Sequence, residues 1–207
     1  MHFLDQELKF PDVTTASKEG IVAIGGDLSP QRLLLAYQRG IFPWFDQEEP
    51  IIWWSPDPRF VLFPEKLKIS KSMKQVLRNS DFEVTINRDF NTVIENCAMI
   101  KRSGQKGTWI TPGMIDAYKV FYQLGHVISV EVWQDNEIVG GLYGVDVNNG
   151  IFCGESMFSK VSNASKVGLI TFLQNSNYAL YDCQVFTNHL ASLGAEDIPR
   201  EAFLKYL

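Results

Sequence analysis

The sequence predicts a mixed α+β fold, and three observations carry that prediction. Ser29-Pro30 and Thr111-Pro112 each place a capping hydroxyl before a proline, which opens a helix. Residues 127–157 alternate apolar and polar side chains in three runs separated by Asp135-Asn136 and Asn148-Asn149-Gly150, the pattern of a β-meander. A helical pattern after Asn163 then leads to another apolar run at 180–186. Helices, three antiparallel strands, then helix and strand again is an α+β layout with a mixed sheet.

Taken in order, residues 1–28 read as loop with short extended pieces, punctuated by Pro11 and Gly25-Gly26. Ser29 caps a helix whose apolar face is Leu33, Leu34 and Tyr37, and Gly40 stops it. Residues 41–58 hold Pro43, Pro50, Pro56 and Pro58, too many prolines for a regular helix. A short strand is expected at 59–63 and a helix capped by Ser70 to about Asn79. A strand at 82–86 follows, then a helix opened by Asn87 or Asp89 through Val93, Ile94 and Cys97. The Thr111-Pro112 helix ends at Gly125, strands run over 127–133, 138–147, 151–157 and 180–186, and Pro199 begins a terminal helix.

Composition narrows the function classes. A hydrophobic content of 45% allows a sizeable core in a chain of 207 residues, as one large domain or two small ones. No run of about 18 apolar residues is present, and residues 1–7 lack a basic and apolar leader pattern, so neither a membrane span nor a secretory signal is expected. The three cysteines, Cys97, Cys153 and Cys183, show no paired spacing. They read as small buried hydrophobes in a reducing, cytoplasmic compartment, with no disulfide framework and no metal site. His2, His126 and His189 show no triad or ligand spacing.

The net charge of −5 does not advertise nucleic-acid binding, but its distribution is uneven. Residues 1–57 are mostly acidic, whereas Lys66, Lys68, Lys71, Lys74 and Arg78 cluster, and Lys101, Arg102 and Lys106 surround Ser103-Gly104-Gln105. Such a strip suits phosphate neutralisation; taken alone, it reads as a solvated lysine-rich helix face.

Chemistry concentrates late in the chain. Glu155 lies among apolar and small residues in Phe152-Cys153-Gly154-Glu155-Ser156-Met157-Phe158. Asp182 and Gln184, two apart on an expected strand, share a face, with Cys183 opposite. Alone, that pair reads as a solvent face.

Further blocks join these. They are Gly25-Gly26-Asp27-Leu28-Ser29-Pro30, Ala36-Tyr37-Gln38-Arg39-Gly40-Ile41-Phe42-Pro43-Trp44-Phe45, Trp53-Trp54-Ser55-Pro56-Asp57-Pro58-Arg59, Gly107-Thr108-Trp109-Ile110-Thr111 and Asn163-Ala164-Ser165-Lys166. With Cys153-Gly154-Glu155-Ser156-Met157-Phe158-Ser159 and Asp182-Cys183-Gln184, the set resembles the bacterial leucyl/phenylalanyl-tRNA–protein transferase family, in that family's order from about residue 20 onward. The resemblance implies a GNAT-like acyltransferase fold over residues 63–207, preceded by a smaller N-terminal domain over 1–62. It implies transfer of Leu or Phe, with Met a third candidate, from aminoacyl-tRNA to the N-terminal Lys or Arg of a protein, generating a bacterial N-degron. Leu-tRNA, Phe-tRNA and such proteins are the expected partners. No cofactor is expected, since the ester is already activated, and a monomer away from membranes is expected. Family members often continue past the 199–207 segment where this chain stops, so no tRNA contact is assigned to such a tail.

The same resemblance assigns side chains. Gln184 contacts the reacting groups with its amide oriented and polarised by Asp182, or Asp182 accepts the amine proton directly. Glu155 recognises the acceptor's cationic side chain, because a carboxylate near an apolar pocket attracts a cation strongly. Leu142, Phe152, Met157, Leu169 and Phe172 match the family's aminoacyl pocket; taken alone, they read as ordinary core. Gly154 would let the donor approach the backbone closely. Trp44 and Trp109 are candidates to stack on the 3′-terminal adenosine, and Tyr118 to bond near the ester. Lys166, at a helix start suited to anions, fits a 3′-end phosphate or a plain surface lysine. Trp53-Trp54 reads as inter-domain packing.

Two rival classes are weighed against this reading. An acyl-CoA-dependent N-acetyltransferase would need a glycine-patterned pyrophosphate loop, which residues 159–168 lack. A non-catalytic module binding tRNA ends or peptides would not need Asp182 and Gln184. Aminoacyl transfer into cell-wall peptide is chemically close but lacks this set of blocks.

Overall fold

Two β-sheets organise the chain in the computed structural model, which describes residues 2–100 and 109–207. Strands β1 (Phe3–Leu4), β2 (Ile21–Gly25), β3 (Phe42–Pro43) and β4 (Ile52–Trp54) form a four-stranded sheet in the order β1-β2-β4-β3. Helix α1 (Pro30–Gln38) lies between β2 and β3 in the chain, with the Ser29 hydroxyl accepting from the Arg32 amide as the sequence predicts. The 1–28 region is therefore more ordered than proline and glycine punctuation suggests, because β1 and β2 are short strands held by pairing with each other and with β4 rather than by local pattern.

The remaining strands build a seven-stranded sheet. They are β5 (Arg59–Leu62), β6 (Glu83–Ile86), β7 (Val127–Gln134), β8 (Glu137–Asp146), β9 (Ile151–Ser159), β10 (Leu180–Gln184) and β11 (Glu196–Ile198), in the order β11-β5-β10-β9-β8-β7-β6. The helices between them are α2 (Lys71–Asn79), α3 (Phe90–Met99), α4 (Pro112–Gln123), α5 (Ala164–Gln174), α6 (Asn188–Ser192) and α7 (Arg200–Leu204). Ser70, Asp89 and Thr111 cap α2, α3 and α4 through their side-chain oxygens. On strand pairing, the change of sheet falls between Trp54 and Arg59. All four residues of β5 are buried, as a strand inside a sheet requires, and β5 lies wholly in the larger sheet although it ends at residue 62.

The fold class is thus α+β with a mixed sheet. Within the seven-stranded sheet, pairing is antiparallel except for β9 with β10, which run parallel and are joined by α5, since parallel neighbours need a crossover. Alternation along the strands sorts the core into two faces. Val61 and Cys153 join a cluster with Trp53, Tyr37, Tyr118 and Phe121 from the N-terminal sheet, α1 and α4. Phe60, Leu62, Phe152 and Tyr181 join a second cluster with Leu169 and Phe172 of α5 and Met73 of α2.

Two elements, α6 and β11, lie where the sequence shows no periodic signal. A five-residue helix and a three-residue strand are too short to display one. Strand β10 stops at Gln184 rather than running to Phe186, because Gln184 adopts φ +65°, outside the extended region.

Candidate active site

Parallel pairing between β9 and β10 ends at Asp182 opposite Cys153. Beyond that point the strands carry Glu155 and Gln184, and a cleft of about 430 Å³ is lined by both. Its walls come from separate elements: Phe42, Pro43 and Trp44 of the N-terminal segment, Ile100 and Trp109, β9 from Gly154 to Ser159, and Tyr181, Cys183, Gln184 and Val185 at the end of β10. Thr187, His189 and Leu190 of the α6 region and Ser165 of α5 complete it. A Cβ at Gly154 would stand 2.1 Å from the Tyr181 hydroxyl, so only glycine allows Tyr181 to pack there.

An irregularity in the β5–β10 pairing between Asp182 and Gln184 sets the geometry. Strict alternation puts the Asp182 and Gln184 side chains on one face with equal exposure to a ligand. The bulge separates them. Asp182 is fully buried, receives two hydrogen bonds from Arg59 at 2.8 and 2.6 Å, and accepts the Gln184 backbone amide at 2.9 Å. The Gln184 side-chain amide instead donates to Glu155 at 2.7 Å. Asp182 therefore orients Gln184 through the backbone, and the expectation that it polarises the side-chain amide directly is corrected. Asp182 is also absent from the cleft lining.

Glu155 receives a second hydrogen bond, from Tyr118 at 3.1 Å, and Tyr118 is itself hydrogen-bonded to Tyr37. Burial pushes the Glu155 carboxyl up to about 7; the buried phenols of Tyr37 and Tyr118 and the Gln184 amide act against that rise and the nearby Asp182 charge adds to it. Burial raises the phenols of Tyr37 and Tyr118 well above the usual range, so both stay protonated donors. It also raises the Cys183 thiol, which removes Cys183 as a nucleophile at neutral pH despite its place in the cleft wall. Burial, then Lys166, lowers the His189 imidazole.

The comparisons with known proteins bear on this arrangement. The profile of the family described as leucyl/phenylalanyl-tRNA protein transferase matches residues 61–207, and that of its N-terminal domain matches residues 26–57. The chain belongs to the leucyl/phenylalanyl-tRNA protein transferase family. It is a transferase of that family. A leucyl/phenylalanyl-tRNA–protein transferase of Flavobacterium psychrophilum is 56% identical over 210 residues, covering 100% of this chain and 99% of the relative. Those of Christiangramia forsetii and Klebsiella pneumoniae are 51% and 53% identical, covering 100% and 97% of this chain and 100% and 86% of theirs. Among solved structures, a Bacteroides thetaiotaomicron protein of unknown function aligns at a TM-score of 0.44 and 14% identity, over 72% of this chain and 55% of that one. A GCN5-related N-acetyltransferase from Kribbella flavida aligns at 0.37 and 10%, over 78% and 58%. At those scores neither carries an argument about this chain.

Within this family member the sequence-assigned residues fall into three groups. Glu155, Gln184, Gly154, Met157, Trp44 and Trp109 line the cleft. Asp182 and Tyr118 lie buried behind it, bonded to Gln184 and Glu155 respectively. Leu142, Phe152, Leu169 and Phe172 pack in the second core cluster and are not among the cleft-lining residues. Tyr181, which does line the cleft, has its ring 5.4 Å from that of Phe152. Lys166 lines a separate hollow of about 230 Å³ with Lys68, Ser70, Asn163 and Ser192. Trp53 packs against Phe10, and Trp54 donates to the Trp44 carbonyl at 2.6 Å. In the basic strip, Lys68, Lys71, Lys74 and Arg78 are exposed while Lys66 pairs with Glu196. Lys101, Arg102, Lys106, Gly107 and Thr108 lie outside the described residues.

Sequence reasoning missed Arg59 and Tyr37. Arg59 sits at the end of a family block, but nothing local marks an arginine as buried. Its 1% exposure is tolerated because Asp182 neutralises it and the Phe42 and Phe203 rings lie 4.8 and 4.6 Å from its guanidinium carbon. No helix among the described residues is long and apolar enough to cross a membrane.

Proposed function

We propose that this chain moves Leu or Phe, with Met a third candidate donor, from aminoacyl-tRNA onto the α-amino group of an N-terminal Lys or Arg, marking the acceptor protein for degradation. The observation that carries the reading is the Glu155–Gln184 pair, held at 2.7 Å inside an apolar cleft that two tryptophans flank.

The chemistry follows from that pair. A neutral α-amine attacks the ester carbonyl, the new amide C–N bond forms, the bond to the 3′ ribose oxygen breaks, and the amine proton passes to that oxygen. An α-amino group titrates near 8, so an appreciable fraction is already neutral and positioning supplies most of the rate. A carboxylate only accepts hydrogen bonds, so Glu155 fixes the Gln184 amide with its N–H₂ toward Glu155. The Gln184 carbonyl oxygen is then the end offered to the attacking amine. Glu155 keeps lone pairs for the acceptor's Lys or Arg cation. Asp182, clamped by Arg59, serves to position Gln184 rather than to take a proton.

Donor selection rests on the apolar wall of Met157, Tyr181, Val185 and Leu190 beside Gly154. Such a wall accepts long, flexible or flat side chains and rejects β-branched ones sterically, by roughly 1–3 kcal/mol per methyl-sized change. Trp44 and Trp109 offer faces to the terminal adenine, and Lys68 and Lys166 offer charge to nearby phosphates. Three buried free cysteines suit a reducing cytoplasm.

Incubation with charged Leu-, Phe- and Ile-tRNA and peptides starting with Arg, Lys or Ala tests the proposal. Product from Leu or Phe donors with Arg or Lys acceptors only is expected. Equal transfer of Ile, or equal use of Ala-starting peptides, would overturn it.

A further inference from the structure

The cleft residues do not explain why a phenol from the N-terminal unit is aimed at the site. Tyr37 lies on α1, between β2 and β3 of the small sheet, and is 2% exposed. Its hydroxyl meets that of Tyr118, and Tyr118 donates to Glu155 Oε2 at 3.1 Å. Neither tyrosine lines the cleft. The Tyr118 proton is committed to the carboxylate, so Tyr37 is the donor in the outer link. The chain runs Tyr37 to Tyr118 to Glu155, and Gln184 closes it on the other oxygen. Each link polarises the next in a low-dielectric interior.

We propose that Tyr37 is a positioning residue for the acceptor site: acting through Tyr118, it fixes the orientation of the Glu155 carboxylate, so that the N-terminal unit tunes acceptor binding without touching either substrate. The inference rests on the reading of Glu155 as the acceptor-binding group. The packing makes the role specific to the hydroxyl. The Tyr37 ring stacks on Phe121 at 6.4 Å, and Tyr118 meets Phe121 and Tyr143 edge-on at 6.4 and 5.8 Å, contacts that a phenylalanine would retain.

A charged carboxylate is stabilised by each donor, so loss of a donor raises its proton affinity. The titratable neighbours of Glu155 are Tyr37 on α1, Tyr118 on α4, Asp182 and Tyr181 on β10 and Cys153 on β9; Arg59 on β5 acts through Asp182. Among these, the tyrosine chain is what couples α1 and α4 to the carboxylate.

The test compares wild type, Tyr37→Phe, Tyr118→Phe and the double variant in transfer of Phe from Phe-tRNA to an Arg-starting peptide. Acceptor and donor KM and kcat are read from pH 6 to 9. Tyr37→Phe should raise the acceptor KM severalfold at pH 7, leave the donor KM within twofold, and shift the acceptor pH profile upward by roughly half a unit. The acceptor amine titrates identically in both enzymes, so the difference between profiles isolates the protein group. The double variant should match Tyr118→Phe, because Tyr37 acts through Tyr118. An unchanged acceptor KM and profile in Tyr37→Phe, effects on donor and acceptor alike, or additive effects in the double variant would overturn the inference. If wild type shows no preference for cationic acceptors, the reading of Glu155 fails instead, and the two failures are distinguishable.

Discussion

Arg59 grips Asp182 with two hydrogen bonds of 2.8 and 2.6 Å, and neither side chain reaches solvent. Breaking a buried pair from one side leaves an uncompensated charge, which costs about 3–5 kcal/mol. Asp182→Asn and Arg59→Met should each destabilise the fold by that order and abolish most transfer. The Arg59→Met/Asp182→Leu double variant should recover much of the stability and none of the activity, since Gln184 then loses its backbone acceptor. Denaturant melts and single-turnover transfer assays read the two effects separately. Wild-type transfer by the double variant would show that Asp182 has no part in positioning Gln184.

Gln184 carries its own conformational cost. A φ of +65° is unfavourable for a residue with a Cβ by about 1–2 kcal/mol, and the Asp182 carboxylate and the Glu155 hydrogen bond hold it there. Gln184→Gly removes the strain and the amide together. The expected outcome is a melting temperature equal to or above wild type, with transfer reduced by at least about 100-fold, the order seen when one preorganised donor or acceptor is removed from a reacting centre. A variant that keeps more than a tenth of the wild-type rate would detach the amide from the chemistry.

Much of the frame was legible before any coordinates. Ser29, Ser70, Asp89 and Thr111 announce helices because a cap is a local event, and the meander of β7, β8 and β9 shows its period directly. The grouping of Glu155 with Gln184 was legible only through the block pattern. What stayed hidden is non-local. The bulge after Asp182 arises from pairing with β5, more than a hundred residues earlier in the chain, and it turns a shared strand face into one buried and one cleft-facing side chain. Arg59 and Tyr37 sit in quoted blocks, yet their partners are Asp182 and Tyr118 on other elements. No spacing within a block encodes such a contact. Likewise Leu142 and Phe152 read the same as pocket or as core, and only their burial in the second core cluster, outside the cleft lining, separates the two.

The two cleft tryptophans give a donor-side prediction. Trp44 is braced by Trp54, whose ring lies 5.8 Å away and whose indole N–H bonds the Trp44 carbonyl. Stacking of a base on an aromatic face contributes roughly 1–3 kcal/mol. Trp44→Ala and Trp109→Ala should each raise the KM for Phe-tRNA by roughly 5- to 150-fold, with the KM for an Arg-starting peptide little changed. Trp54→Phe should show a milder version of the Trp44 effect, since it loosens the brace and leaves the stacking face. Steady-state kinetics with each substrate varied in turn decides this, and an equal rise in both KM values would assign these rings to general packing.

Glu155 links stability to pH in the direction opposite to most carboxylates. Its folded-state value lies near 7, above the ordinary 4.5, because burial disfavours the charge. The folded protein therefore holds this proton more tightly than the unfolded chain. Its contribution to stability is fully present below about pH 4.5, falls as pH rises toward 7, and stays lost above. Glu155→Gln keeps the shape and removes the titration. Relative to wild type, this variant should gain stability with rising pH through that window, by up to about 3 kcal/mol at pH 8, or about 2–4 °C of melting temperature per kcal/mol. It should at the same time lose discrimination for Arg- and Lys-starting peptides. Melts of both proteins from pH 4.5 to 8.5, paired with acceptor kinetics, test both halves. Parallel melting curves across that range would place Glu155 in a solvated setting, and the apolar, water-excluding cleft on which acceptor recognition depends would go with it.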